Sequence, residues 1–217
     1  MLGFSILIVL YVLFYLVLII GWNGTQKSPL IQAGSKIDCK DLTVVIPFRN
    51  ELDNLYKLLE RIDALKCRPK RFIFVNDHSE DDWKEVFEKA QIDSANIYTL
   101  SDQQQGKKAA VYEGVKMADT KYILCWDADV CFEAHYFEDI EQLQTAELIV
   151  LPVHFVSKNP IQSMGEIDFY LANFVNQASA YWKRPIMCNG ANLLFSRSDY
   201  LEVNKLEEHA HILSGDD

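Results

Sequence analysis

The chain has 217 residues, with 21 Lys+Arg against 31 Asp+Glu and a formal net charge of −10. That balance excludes general nucleic-acid binding, which needs basic surface. The length points to one domain plus an appendage. The five cysteines are odd in number and form no C-x-x-C pair, so their spacing indicates neither a zinc site nor a disulfide framework and fits a reduced compartment.

Residues 2–20, LGFSILIVLYVLFYLVLII, carry no charge. As a helix they span about 28 Å, close to the ~30 Å hydrocarbon core of a bilayer. Tyr11, Tyr15 and Trp22 add amphipathic rings, with Trp22 at an interface position. No Lys or Arg precedes the run, which is longer than the apolar core of a secretory signal. We read residues 1–22 as an uncleaved transmembrane anchor and residues 23–41 as a linker. Lys27, Lys36 and Lys40 follow the anchor, so the positive-inside rule puts residues 23 onward on the cytoplasmic side.

From residue 42 the chain alternates. LTVVIPF (42–48) reads as a buried strand. Residues 51–65 place Leu52, Leu55, Leu58, Leu59, Ile62 and Leu65 at helical spacing. RFIFVND (71–77) is a second strand, and Ser79 is expected to cap a helix running through Lys89. A third strand at 96–100 and a third helix at 107–118 follow. YILCW (122–126) is a fourth strand, residues 135–144 a helix, and ELIVLPVHF (147–155) a further strand. This order implies an α/β fold with a mostly parallel sheet flanked by helices on both faces. Ligands of such sheets sit beyond the carboxyl ends of the strands. The polar residues gather there: Arg49-Asn50-Glu51 after the first strand, Asn76-Asp77-His78-Ser79 after the second, and Asp127-Ala128-Asp129 after the fourth.

Asp127 and Asp129 are the sharpest signal. On an extended chain, side chains at i and i+2 point the same way, about 6–7 Å apart. Two like charges at that distance repel by roughly 2–3 kcal/mol at an effective dielectric of about 20. A hard divalent cation such as Mg²⁺ or Mn²⁺ would relieve the repulsion through oxygen ligands. Solvated turn residues are the alternative reading. Gly106, Lys107 and Lys108 open the third helix, where lysines oppose the helix dipole. An anionic ligand would reverse that effect, which makes Lys107 a candidate phosphate contact. The segment lacks the P-loop pattern G-x-x-x-x-G-K-[ST]. His154, His209 and His211 show no ligand spacing. Residues 160–182 form an aromatic-rich helix with Phe169, Tyr170, Phe174, Tyr181 and Trp182. It reads either as core packing or as an amphipathic element against a membrane or an acceptor groove.

These pieces, in this order, resemble the family 2 glycosyltransferases of GT-A fold. TVVIPFRNE is similar to the family's opening V-I-P…N-E strand. VNDHSEDD is similar to V-D-D-x-S-x-D, with Asn76 for the first Asp. GKKAAVYEGVKMADTKYILCWDAD resembles the G-K-x-x-A-x-N-x-G stretch that leads to D-x-D, with Glu113 for Asn. NGANLLFSR resembles the acceptor-side G-A-N strand, and SGDD the E-D motif, with Asp216 for Glu. The resemblance covers residues 42–217 and implies a catalytic domain there, with a Rossmann-like nucleotide-binding half.

It also implies roles. Asp77 would bond the uracil of a UDP-sugar, and Asp127 the ribose and nucleotide. Asp129 would ligate Mg²⁺ or Mn²⁺ on the diphosphate, with Asp127 beside it. Pro47, Asn50 and Glu51 would shape the nucleotide pocket. Asn189, Gly190, Ala191 and Asn192 would stand on the acceptor side, and Asp217, next to Asp216, would be the general base. Asn76 removes one carboxylate from the uracil-side strand. A base on the last residue, beside the α-carboxylate, would be poorly held, so the sequence predicts a catalytic domain cut short at its C-terminal end. The expected activity is inverting transfer of a sugar from a nucleotide-diphosphate donor to a glycan or lipid-linked hydroxyl. The competing readings are an inactive nucleotide-sugar-binding scaffold and a sugar nucleotidyltransferase. The latter usually has a Gly-rich signature near its first strand, and PFRNELDNL has no glycine.

Overall fold

The computed structural model describes residues 2–27, 35–90, 92–154 and 159–203. Asp216, Asp217, His209 and His211 lie outside the described residues. The chain divides into two compact units. One comprises residues 1–32 with 153–188, and the other residues 33–152 with 189–217.

Among the described residues, the second unit is built on six strands. They are β1 (Leu42–Phe48), β2 (Arg71–Asn76), β3 (Ala95–Thr99), β4 (Tyr122–Trp126), β5 (Leu148–Val150) and β6 (Asn192–Ser196), in the order β3-β2-β1-β4-β6-β5. The first four run parallel, with Val45 opposite Ile73 and Cys125. Strand β6 enters antiparallel between β4 and β5. Of the stretch 147–155, expected as one more long strand, the described residues 147–154 contribute only the three residues of β5 at the sheet edge. The mixed α/β, mostly parallel sheet is the expected fold class.

Alternation along the strands divides two faces. Val44, Ile46, Phe48, Phe72, Phe74, Leu124 and Trp126 join one core cluster. The helices α2 (Leu52–Asp63), α3 (Trp83–Ala90) and α5 (Tyr136–Ile140) add Leu55, Leu58, Ile62, Trp83, Val86 and Phe137 to it. On the opposite face, α4 (Lys107–Met117) packs over Val45 and Val75. Gly114 is the contact point, because a Cβ there would run into Val45 Cγ1 and stand 3.2 Å from Val75 Cγ2. Both neighbours are strand side chains with 0 % exposure, so neither has room to withdraw. Gly114→Ala is expected to lower unfolding stability by about 1–3 kcal/mol, the usual range for overpacking a filled core, read as a fall in the denaturation midpoint.

Three local readings change. Helix α3 begins at Trp83, not under a Ser79 cap, because Ser79 is already engaged: its N–H donates to Asn76 Oδ1 and its Oγ accepts from the Asn50 N–H. The helix expected over 135–144 stops at Ile140. Beyond it the Leu143 carbonyl accepts the Ile37 N–H, and Gln144 bridges to Lys36. Within the stretch expected as linker, Ile37 and Cys39 are buried against the sheet, and Cys39–Asp41 form a 3-10 turn leading into β1.

The first unit holds α1 (Leu2–Lys27) and α6 (Pro160–Tyr181). Phe4–Thr25 is long and apolar enough to cross a membrane. The two helices pack against each other. Trp182 Nε1–H donates to the Val17 carbonyl at 3.3 Å, and Trp22 meets Phe174 at 5.2 Å between ring centroids. Gly21 lies on the Ala178 carbonyl, with no room for a Cβ. Met164, Ile167, Leu171 and Trp182 of this unit stay exposed, so α6 is not an ordinary core helix.

Candidate active site

Strands β2 and β3 follow β1 on one side of it, and β4 returns to its other side. The chain therefore reverses its winding between the carboxyl ends of β1 and β4, which is where ligands enter open α/β sheets. A cavity of about 280 Å³ lies there. Pro47, Phe48, Arg49 and Glu51 line it from β1, and Asp127, Ala128 and Asp129 from β4. Asp77 after β2 and Lys107 at the start of α4 complete it.

Six residues expected to bind nucleotide or metal thus meet in one place: Pro47, Glu51, Asp77, Lys107, Asp127 and Asp129. Phe48, Arg49 and Ala128 line the cavity as well, and the sequence assigned none of them a role. Arg49 was named only among the polar residues at its strand end, and Phe48 and Ala128 adjoin expected residues.

Asp77 is buried. Its Oδ2 accepts the Gly106 N–H at 3.0 Å, at the amino end of α4. The helix dipole favours a carboxylate at that end. Its Oδ1 lies 3.1 Å from His78 Nδ1, and Arg49 Nη1 stands 3.9 Å from Oδ2. Gly106 has φ 93°, a conformation that suits glycine and aims this N–H at the carboxylate.

The Asp127–Asp129 pair is not extended. Strand β4 ends at Trp126, and the Val130 N–H returns to the Asp127 carbonyl at 3.3 Å in a turn. Lys107 Nζ lies 2.9 Å from Asp127 Oδ1 and supplies the counter-charge. Both side chains are about a third exposed, so the pair itself contributes about 1 kcal/mol or less. Lys107 is therefore placed at the junction of the α4 amino end and the Asp127 carboxylate, where a phosphate group would meet it.

Three asparagines hold the frame and do not face the cavity. Asn50 sits at φ 54°, a left-handed conformation that asparagine tolerates. Its N–H donates to Ser79 Oγ and its Oδ1 accepts the Glu80 N–H, which ties the β1–α2 loop to the β2–α3 loop. Asn76 is buried, with Oδ1 on the Ser79 N–H and Nδ2 3.4 Å from Thr99 Oγ1. It organises the loop that carries Asp77, so the exchange of Asp for Asn falls on a structural position.

Asn192 is the third. Its Oδ1 accepts from Tyr136 Oη at 2.6 Å and Trp126 Nε1 at 3.3 Å, while Nδ2 donates to the Pro152 carbonyl at 3.0 Å. Burial pushes the Tyr136 phenol up to about 12, against the opposing hydrogen bonds to Trp126 and Asn192. Asn189 turns onto its own loop, with Oδ1 on the Ala191 N–H. None of Asn189, Gly190, Ala191 and Asn192 lines the cavity. Asn192→Ala strands two buried donors, each costing about 1–3 kcal/mol. A loss on the order of 2–4 kcal/mol in chemical denaturation is expected.

A family model described as "Glycosyl transferase family 2" matches residues 43–201. The chain is similar to poly-β-1,6-N-acetyl-D-glucosamine synthase of Staphylococcus aureus (strain MSSA476), 30% identical over 92 residues, which are 42% of this chain and 22% of that protein. The corresponding Staphylococcus epidermidis synthase is 27% identical over 84 residues, 39% of this chain and 20% of that one. The matches thus span about a fifth of the length of these curated relatives.

Among solved structures, a mannosyltransferase from Pyrobaculum calidifontis in complex with GDP-Man and Mn²⁺ superposes with TM-score 0.63 at 17% identity, over 88% of this chain and 55% of that one. Mannosyl-3-phosphoglycerate synthase from Rubrobacter xylanophilus gives 0.51 at 15% identity, over 73% and 54%. These likenesses show the GT-A fold. A match running from residue 43 to residue 201 of a 217-residue chain decides the family: this protein belongs to glycosyl transferase family 2.

Proposed function

We propose that this protein transfers a sugar from a nucleoside-diphosphate donor, UDP-linked by preference, to a hydroxyl acceptor with inversion at the sugar carbon. The observation that carries the reading is the cavity at the β1/β4 reversal, which gathers Asp77, Asp127, Asp129 and Lys107 from two strand ends and one helix start. Its donor set fits a hard cation. Asp127 and Asp129 present carboxylate oxygens, and among the described residues neither imidazole nor thiol lines the cavity. The metal-bearing mannosyltransferase of like fold supports the same choice.

In this reading Asp77 bonds the nucleotide base and Asp127 the ribose. Lys107 releases Asp127 and turns to a phosphate oxygen. Asp129, with Asp127, would hold Mg²⁺ or Mn²⁺, which supplies charge neutralisation to the departing diphosphate. The acceptor oxygen attacks the sugar carbon from the face opposite the diphosphate, the bond to the leaving oxygen breaks, and the acceptor proton passes to a carboxylate base. The resemblance assigns that base to Asp217, beside Asp216. The acceptor is a glycan or a lipid-linked hydroxyl, in keeping with relatives that make a polysaccharide.

Helix α1 serves as a single-pass anchor, with the sheet on the cytoplasmic side. The exposed apolar residues of α6, packed beside α1, support a membrane setting.

Calorimetric titration of the full chain in detergent with UDP and with GDP, each with and without Mn²⁺, tests the donor site. Manganese-dependent UDP binding is expected, weaker by at least about tenfold without the cation, a difference of about 1.4 kcal/mol. Absence of binding by either nucleotide in a folded sample overturns the reading, and preference for GDP overturns the choice of base.

A further inference from the structure

The amino-terminal edge of the sheet carries a cluster that the sugar-transfer reading does not use. Cys39 sits in the 3-10 turn before β1, Cys67 in the loop between α2 and β2, and Glu141 directly after α5. One ligand atom from each lies within 4.8 Å of the other two. Residues Leu42–Phe48 separate this end from the cavity by about 20 Å of strand, at ~3.3 Å per residue.

Backbone hydrogen bonds fix all three segments, the Glu141 N–H donating to the Phe137 carbonyl at 3.0 Å. The Lys66 N–H donates to the Ala134 carbonyl at 3.1 Å, and the Lys70 N–H to the Cys39 carbonyl at 3.0 Å. The Cys39 thiol points at the Phe137 carbonyl of α5, 3.6 Å away, and the Cys39 N–H at Glu141 Oε1, 3.4 Å away. Cys39 is 2 % exposed, while Cys67 and Glu141 are half-buried.

We propose that Cys39, Cys67 and Glu141 bind a zinc-class divalent cation, with water as the fourth ligand. The ligand types suit the assignment. Thiolates select zinc over magnesium or calcium, and a carboxylate is an accepted third ligand. Tetrahedral zinc holds such atoms about 3.5–3.8 Å apart, so closing from the present spacing needs a shift of about 1 Å or less.

Electrostatics point the same way. Among the described residues no lysine or arginine pairs with Glu141, although Arg68 and Lys70 nearby pair with Asp63 and Asp119. Three groups that carry negative charge when ionised thus share one small volume without a cation. A bound divalent ion converts this mutual opposition into ligation. It would also clamp the turn entering β1 to the α2–β2 loop and to α5. The cysteine spacing in the sequence pointed away from zinc, because the ligands come from three distant segments and one is a carboxylate.

The test uses the full chain in detergent under a phosphine reductant. Co²⁺ should give a thiolate-to-cobalt charge-transfer band, and zinc analysis about one equivalent per chain retained after dialysis. Cys67→Ser should abolish the band. Glu141→Gln should weaken metal affinity by about 100-fold, since loss of a partner one layer further out already costs about 10–100-fold. Asp129→Ala should leave the band intact, which separates this site from any cation in the cavity. A folded, reduced chain that takes up Co²⁺ without the band overturns the proposal. So does a Cys39–Cys67 disulfide found by mass spectrometry in protein prepared without reductant. If Cys67→Ser does not fold, the Glu141→Gln affinity decides.

Discussion

Asp129→Ala is expected to lower metal-dependent sugar transfer by roughly 10²–10³-fold, about 3–4 kcal/mol of transition-state stabilisation. Asp129 is exposed in the turn after β4 and lines the cavity. The substitution removes the carboxylate proposed as a metal ligand without disturbing the core. Asp127 remains, but Lys107 competes for it at 2.9 Å, so on the proposed reading the altered site would hold a cation poorly. The loss should appear in kcat more than in thermal stability, and manganese dependence of UDP binding should vanish with it. Donor turnover in a radiolabel-release assay measures the first, and calorimetry the second. Unchanged turnover with a normal manganese response would remove Asp129 from the mechanism and leave the fold and family standing. An inactive scaffold predicts a different pattern: no turnover in either protein, and no change in partner binding.

Trp126→Ala should cost about 3–5 kcal/mol of stability, the range for deleting a large buried aromatic. Trp126 is 1 % exposed and points to the face opposite α4, into the core cluster shared by α2, α3 and α5. Its ring stacks on Phe132 at 4.4 Å and meets Tyr136 at 5.3 Å and Phe137 at 5.5 Å. Its Nε1–H is one of the two donors that hold Asn192. Alanine therefore opens a cavity and loosens the β4–β6 junction together. Trp126→Phe keeps most of the apolar fill and loses the hydrogen bond, so it should cost about 1–2 kcal/mol. Guanidinium denaturation orders the three proteins. Equal losses for Ala and Phe would mean the hydrogen bond, not the packing, holds this corner.

The strands that form the site were legible because their signals are local. β1 and β4 coincide with the expected 42–48 and 122–126. A β-branched run, closed by residues that cannot continue it, specifies a buried parallel strand without reference to distant chain. The acids after β2 and β4 were legible for the same reason, since strand ends of such a sheet share one edge. What the sequence left open depends on partners far along the chain. β6 inserts antiparallel between β4 and β5, and nothing local to 192–196 states which neighbours it will take. Asn50, Asn76 and Asn192 have residue types that suit ligand contact equally well. Only their hydrogen bonds, to Ser79 and Glu80, to Ser79 and Thr99, and to Trp126, Tyr136 and Pro152, show them bracing loops.

By itself, then, the sequence determined an apolar helix at the amino end, an α/β sheet, and carboxylates delivered to one edge of it. Periodicity and residue chemistry act within a few residues, and they suffice for those features. The tertiary structure alone decided that Lys107 would meet Asp127, that α4 would rest on Val45 through Gly114, and that Cys39 would face Glu141, 102 residues away. Each is a close approach between segments whose separation along the chain carries no trace of their distance in space.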